Sequence, residues 1–139
     1  MVNVQQIYDM AIHLMDEQNE STGATQTVDT DEYRFRTISI LNTAIAALAP
    51  YTSRMGPTNS PMVSLLDASD YRNPDFSQAI MMDDSFSVSL LPYFLAAQLL
   101  SGENEPLAAW FMNRYREIFM DIRNRKAAEF EPIPTPYSL

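Results

Sequence analysis

The first apolar pattern in the chain has the spacing of an amphipathic helix, with an apolar residue every three or four positions. Its apolar positions are Val4, Ile7, Tyr8, Ala11, Leu14 and Met15. Asn3 and Gln6 stand where the two halves of a capping box would lie, so the helix is predicted to begin at about Val4. We expect this first helix within residues 1–17 and a polar linker over residues 18–28.

A second helical pattern follows in residues 29–49. Its stripe consists of Tyr33, Arg34, Ile38, Leu41, Ala44, Ile45 and Leu48. Asp29 and Glu32 predict a capped start, and Pro50 predicts the end, because proline cannot continue the hydrogen-bonded ladder. Alanines near that end permit another helix to approach closely, so we expect this second helix to be the central strut of the fold.

Residues 50–83 carry no long helical pattern and are punctuated by proline and glycine. We expect an irregular loop here, formed as a small hairpin or an extended segment. Four methionines of this region have no helix to pack on, and their pattern predicts apolar side chains that remain open to a partner. They are Met55, Met62, Met81 and Met82.

Two further helices are predicted in residues 84–101 and 104–130, separated by a short polar turn. Pro92 lies inside the first of them, so we expect a kink between Val88 and Pro92. Gly102 occupies the position of a C-terminal cap. The predicted buried face of the last helix consists of Leu107, Trp110, Phe111, Tyr115, Ile118, Phe119 and Ile122.

The end of the chain alternates prolines with other residues, which favours extended backbone. We therefore expect residues 131–139 to form an extended arm. Together these patterns predict an all-α protein, a small bundle of about four helices in residues 1–130. It carries a long irregular central loop and a proline-rich C-terminal arm.

Composition narrows the functional classes. The chain of 139 residues carries a formal net charge of −9, which argues against tight binding to a nucleic-acid backbone. It contains no cysteine, which excludes disulfides, thiolate metal sites and thiol nucleophiles. No stretch approaches the ~20 apolar residues that a membrane helix needs, so we expect no membrane contact.

The search for catalytic chemistry finds no constellation of reactive groups. The only histidine, His13, has acidic neighbours at helical spacing, but a metal site normally needs three or four convergent ligands, so we favour a surface or half-buried histidine. The aspartates of the central loop lack the spacing of a calcium loop, and the three glycines lie too far apart for a phosphate loop. We expect no enzymatic activity, metal or cofactor.

Five of the nine cations fall on the last predicted helix: Arg114, Arg116, Arg123, Arg125 and Lys126. Two interpretations stay open. The first is electrostatic docking of this helix on the acidic first helix of another subunit. The second is a solvated helix face whose cations interact favourably with the helix dipole and with interleaved acids.

Two stretches of the chain resemble a known family. DEYRFRTISILNTAIAAL and DDSFSVSLLPYFLAAQLLSGENEPLAAWFMNRYREIF are similar to the small helical head–tail connector (adaptor, head-completion) proteins of tailed bacteriophages. The likeness spans Asp29 to about Arg125. It consists of an LPYxLAAxLL helix, a short polar turn with Glu and Asn, and a helix rich in alanine and aromatic residues. Phe94 departs from it, since a small residue such as glycine is expected there.

The resemblance implies a structural virion protein at the head–tail junction, assembled in the host cytoplasm. It further implies a ring, dodecameric in the assembled particle, that docks on the portal protein, extends the DNA channel and offers a platform to a tail or stopper protein. DNA would pass through without sequence-specific binding. The alternative is an acidic regulatory module, a nucleic-acid mimic or an antirepressor-like protein, that acts on a basic partner.

Under the resemblance, the contacts to neighbouring subunits, portal or tail fall on the four methionines, the five cations and the arm. The arm residues expected to make contact are Pro132, Ile133, Pro134, Pro136, Tyr137 and Leu139. A polyproline arm suits such a role because it loses less entropy on docking than a flexible one.

Overall fold

A computed structural model describes residues 1–17, 21–25, 30–52 and 64–130 of the chain. Within these ranges it contains four α-helices. They are α1 (Val4–Met15), α2 (Asp31–Leu48), α3 (Asp84–Leu100) and α4 (Glu105–Phe130), and a 3-10 turn at Ala49–Tyr51 follows α2. The prediction of a small all-α bundle with an irregular central loop is confirmed. Residues 53–63 of that loop and the predicted arm, 131–139, lie outside the described residues.

Helix α1 begins with the predicted capping box. The side chain of Asn3 accepts a hydrogen bond from the Gln6 N–H at 2.9 Å, and the Gln6 side chain accepts one from the Asn3 N–H at 2.9 Å. The helix ends at Met15, before the predicted end at Glu17, because Asp16 adopts the left-handed conformation with φ 59°. Leu14 was expected in the buried stripe but is 39% exposed. Ile12 is buried in that stripe instead.

Helix α2 begins two residues later than predicted. Thr30 is its N-terminal cap residue and makes no side-chain capping bond, while the expected cap, Asp29, lies outside the described residues. At its other end the helix passes into the 3-10 turn that contains Pro50. Proline lacks the N–H that an α-helical bond would need at that position, so the chain tightens and leaves the helix.

Helix α3, not α2, is the central helix of the fold. It packs against α1, α2 and α4, whereas α1 and α2 make few contacts with each other. Its buried residues are Phe86, Ser87, Leu90, Leu91, Pro92, Leu95, Ala96, Ala97, Leu99 and Leu100. A helix that is apolar around most of its circumference is surrounded by other elements, which explains why the striped α2 lies beside it. The chain stays helical through Pro92, and the kink there stays a prediction.

The described part of the central loop pairs through its backbone with the N-terminal residues. The Ile80 N–H donates to the Val2 carbonyl at 2.8 Å, and the Val4 N–H donates to the Gln78 carbonyl at 3.0 Å. These bonds flank an antiparallel bridge between Asn3 and Ala79. Within residues 64–83 of the loop, the expected small hairpin does not form, because the N-terminal residues supply the pairing partner.

The pairing of the loop with the N-terminus buries its apolar side chains. Leu66, Phe76, Ile80 and Met82 all belong to the hydrophobic core. The prediction that Met82 remains open to a partner is therefore wrong, and Met81 is half-buried. Met55 and Met62 lie outside the described residues, so their predicted exposure stays a prediction.

Tyr33 ties the start of α2 to the turn between α3 and α4. Its side chain is buried, and its hydroxyl donates a short hydrogen bond to the Glu103 carboxylate. Burial raises the pKa of Tyr33, and the bond to Glu103 raises it further. The folded protein therefore holds the phenol proton more tightly than the unfolded chain does.

We expect this tyrosine to make the protein sensitive to alkali. Its contribution to stability is complete below pH ~10, the ordinary tyrosine pKa, and is lost as the pH rises above that value. Tyr33→Phe should lower the free energy of unfolding by about 1 kcal/mol at pH 7 and flatten its decline above pH ~10. Urea denaturation at a series of pH values measures both effects. The control is Tyr71→Phe at an exposed site, and an unchanged alkaline slope in Tyr33→Phe would contradict the assignment.

Candidate interaction surface

Helix α4 lies on the outside of the bundle and packs mainly against α3. Ala108 and Phe111 are buried on its inner face, and Tyr115 and Ile118 are half-buried. Trp110 was predicted on this face but is 57% exposed, and its ring meets Phe111 edge-to-face at 5.2 Å between ring centroids. A helix that meets one main neighbour buries a narrower stripe than its apolar pattern suggests, and Trp110 falls on the margin of that stripe.

A row of aromatic rings closes one flank of α4. Tyr115 packs against Phe94 of α3 at 5.2 Å between ring centroids, and burial raises the pKa of Tyr115. The next ring along the helix, Phe119, stacks on Tyr115 at 6.3 Å and meets Tyr51 of the 3-10 turn edge-on at 5.1 Å. Phe94, the residue that departs from the resemblance, is thus accommodated by the aromatic side chains of α4.

The opposite flank of α4 is open and forms a groove with α1 and α3. One part is a cavity of about 550 Å³ whose lining includes Met10, His13, Leu14, Val88, Pro92 and Tyr93. The second part is a cavity of about 420 Å³ whose lining includes Asp83, Phe86, Asp121, Ile122 and Arg125. Ser89 and Ile118 line both cavities, so the two are adjacent. We call this concavity the α1–α3–α4 groove.

The groove has an apolar end and a charged end. At the apolar end, the side chains of Leu14 and Val88 are 39% and 38% exposed. At the charged end, Arg125 pairs with Asp121 at 2.8 Å, and Asp83 adds a second carboxylate. The charged end therefore presents carboxylates together with a guanidinium.

The cations of α4 do not form one basic face. With 3.6 residues per turn, Arg114 and Arg125 lie on the flank of the groove, whereas Arg116 and Arg123 lie on the opposite flank. Arg114 pairs with Glu117 at 3.2 Å, as Arg125 does with Asp121. Such exposed pairs on one helix contribute only ~0.3–0.5 kcal/mol each.

The remaining cations differ from these two. Arg116 and Arg123 are exposed, and they make no ion pair with any residue that the structure describes. Lys126 lies in α4, beyond the last side chain that the structure describes. Both interpretations of Arg116, Arg123 and Lys126 therefore stay open: docking on the acidic helix of another subunit, and simple solvation of the helix face.

No family model matches the chain, and neither the curated proteins nor the solved structures contain a match. In the part of the chain that the structure describes, no helix has the length and apolar character needed to cross a membrane. Function is therefore inferred from the groove, the distribution of charge and the resemblance to connector proteins.

The acidic side chains of the loop serve local turns. Asp67 accepts a hydrogen bond from the Ser69 N–H at 2.9 Å, and Asp75 accepts one from the Ser77 N–H at 2.9 Å. Hydrogen bonds from the hydroxyls of Ser69 and Ser77, and then these N–H bonds, lower the pKa of Asp67 and Asp75 respectively. Among the described residues no group of three or more acidic or histidine side chains could hold a metal ion, and His13 is exposed at the rim of the groove.

The sequence did not single out the groove. Leu14 was assigned to the core, and Val88 was noted only as one end of the expected kink. One feature of the sequence could have identified Leu14 and Val88 as groove residues, namely an excess of apolar positions in α3. This helix is apolar on more sides than a single buried stripe requires, so one of its faces needs a further element packed against it.

Proposed function

We propose that the chain is a structural virion protein of a tailed bacteriophage, a head–tail connector that joins the portal ring to the tail. The observation that carries the proposal is the hairpin of α3 and α4. The stretches with the resemblance, residues 91–100, 102–105 and 108–115, fall in its two helices and the turn between them. They therefore coincide with one packed structural unit that contains the central helix α3.

The turn of the hairpin is specified by its own residues. Gly102 has φ 93°, a conformation that residues with a side chain rarely adopt. Its N–H donates a hydrogen bond to the Glu105 carboxylate at 2.7 Å. The Asn104 side chain accepts the Leu107 N–H at 3.2 Å and so caps α4. The short polar turn of the resemblance thus has a physical role, which is to fix the angle between the two helices.

The surfaces of the hairpin suit assembly into a ring. A closed ring needs two different faces on each copy, because one face of each subunit meets another face of the next. Helix α4 separates two such faces, the α1–α3–α4 groove on one flank and Arg116 and Arg123 on the other. The net charge of −9 also suits a channel, since a lumen that repels phosphates lets DNA pass without adhering.

The proposal includes the partners that the resemblance implies. Copies form a ring, dodecameric in the particle, that contacts the portal protein on one side and a tail or stopper protein on the other. DNA passes through the ring without sequence-specific binding. The site of action is the head–tail junction of the virion, after assembly in the host cytoplasm.

Mixing the full-length chain with its purified portal oligomer tests the proposal. Electron microscopy should show an added ring of density on the portal. Deletion of residues 131–139 should leave the helical circular dichroism unchanged but reduce ring attachment at least ~10-fold, the loss expected when about 1.4 kcal/mol of contact is removed. If the portal stays bare and the chain instead co-purifies with a basic protein, the regulatory-module alternative is favoured.

A further inference from the structure

The outer face of α4 carries a row of exposed residues with the spacing of a helix-pairing seam. On the side away from α3 the row advances in alternate steps of four and three positions, as the contacting residues of two paired helices do. We call this row the outer seam, and it consists of Pro106, Trp110, Asn113, Glu117, Met120 and Asn124, all of them exposed. Its two large apolar members, Trp110 and Met120, are 57% and 42% exposed. Tryptophan is a common anchor of protein–protein contacts.

The order of residues along the outer seam is complementary to its own reverse. In an antiparallel pairing, Trp110 of one copy can lie opposite Met120 of a second copy. The next layer inward then holds Asn113 of the first copy and Glu117 of the second, and two-fold symmetry repeats both layers. Apolar side chains thus meet each other, and each carboxylate meets an amide that can donate to it. A parallel pairing would instead place Glu117 against Glu117, which is repulsive.

The surface beside Trp110 has room for a side chain from the second copy. A concavity of about 430 Å³ is lined by Trp110, Asn113, Arg114 and Glu117. The antiparallel pairing brings Met120 of the second copy over it, and an unbranched thioether fills irregular gaps and packs well on the edge of an aromatic ring. Glu117 keeps its ion pair with Arg114 at 3.2 Å, so the pairing does not bury an uncompensated charge.

Charge favours α4 as the surface through which two copies meet. The chain carries a formal net charge of −9, so most surfaces of two copies repel each other. Helices α1 and α3 carry acidic residues but no lysine or arginine, whereas residues 105–125 of α4 carry four arginines and three carboxylates. Two copies therefore approach each other through α4 with little repulsion. We propose that two copies of the chain pair antiparallel through the outer seam of α4.

The inference goes beyond the proposed function and does not depend on it. The outer seam lies between the two flanks of α4 that ring assembly would use, so the pairing leaves the α1–α3–α4 groove open. The contact is two-fold symmetric and closes on itself as a dimer. Only a few side chains of each copy take part, so we expect a transient dimer with a dissociation constant on the order of 100 μM.

The only tryptophan of the chain lies in the outer seam and reports the pairing directly. Sedimentation equilibrium and tryptophan emission of the full-length chain are measured from about 10 μM to about 1 mM, a range that brackets the expected dissociation constant. The mass should double while the emission shifts to the blue, because the indole of Trp110 leaves water. Met120→Asp should weaken the association at least ~10-fold and abolish the shift at the same concentrations. The matched control is Val88→Asp, at a side chain of similar exposure in the groove, which should change neither.

The inner layers test the antiparallel register. Asn113→Asp places two carboxylates opposite each other in both inner layers, so it should weaken the dimer at least ~10-fold. The double variant Asn113→Asp/Glu117→Gln returns one carboxylate and one amide to each layer and should restore the affinity to within ~3-fold. A parallel pairing predicts a different result, namely that Glu117→Gln alone tightens the dimer at least ~10-fold by removing a pair of facing carboxylates.

Three results would overturn the inference. The first is a chain that remains monomeric at the highest concentration, with an emission maximum that does not move. The second is a dimer that Val88→Asp weakens and Met120→Asp does not, which would place the contact on the α1–α3–α4 groove. The third is the tightening by Glu117→Gln that a parallel pairing predicts. Circular dichroism of every variant should match that of the parent chain, because all the substituted side chains are exposed.

Discussion

Replacing Leu95 with alanine is expected to lower the free energy of unfolding by about 3 kcal/mol. Leu95 is fully buried in α3, the helix that contacts the other three. The loss combines the transfer free energy of the missing methyl groups with the cost of the cavity that rigid neighbours leave behind. Because α3 joins all the other helices, the cavity cannot be closed by shifting a single peripheral element. Urea denaturation followed by circular dichroism measures the change.

Val88→Ala is the matched control for this prediction. Val88 lies on the same helix but on its exposed face, where removing two methyl groups should cost less than about 1 kcal/mol. A similar loss of stability in both variants would contradict the central position of α3. A loss confined to Leu95→Ala would support it.

The sequence predicts a helix well where the residues that specify its ends lie close together along the chain. The capping box of α1 and the Gly102 turn before α4 involve residues three or fewer positions apart, and both form as expected. The choice of central helix was wrong, because a clear stripe such as that of α2 indicates one buried face. The central position belongs to α3, the helix with several buried faces.

Whether a residue at the edge of an apolar stripe is buried depends on how many other elements pack against its helix. Trp110 and Leu14 fit their apolar stripes, yet both are exposed, because neither helix has a neighbour on that side among the described residues. The groove that results is formed by α3 and α4 together with α1, which is distant from both in sequence. The same holds for the loop, whose pairing with Val2 and Val4 spans more than seventy positions and leaves no local signal.

Phe76→Ala is expected to lower the free energy of unfolding by about 3–4 kcal/mol. Phe76 is a loop residue, yet it is buried, and its ring meets Tyr8 of α1 edge-on at 5.1 Å. The Arg34 guanidinium of α2 lies over the same ring, 4.1 Å from its centroid. The Phe76 carbonyl also accepts the Gln5 N–H at 2.9 Å, so the ring anchors the loop where it meets the N-terminal turn. Leu65→Ala, at an exposed loop position, is the control and should change stability little.

The contact between Arg34 and Phe76 can be separated from simple burial by a double-mutant cycle. Phe76→Leu keeps an apolar side chain but removes the ring, and Arg34→Met keeps the aliphatic stem but removes the charge. We expect a coupling energy of about 1 kcal/mol, because one guanidinium nitrogen of Arg34 is buried without a hydrogen-bond partner among the described residues, so the ring faces of Phe76 and Tyr8 are its main compensation. Additive losses would mean that Phe76 acts through volume alone. A measured coupling would instead show that the loop is held by a charge whose desolvation the two rings offset.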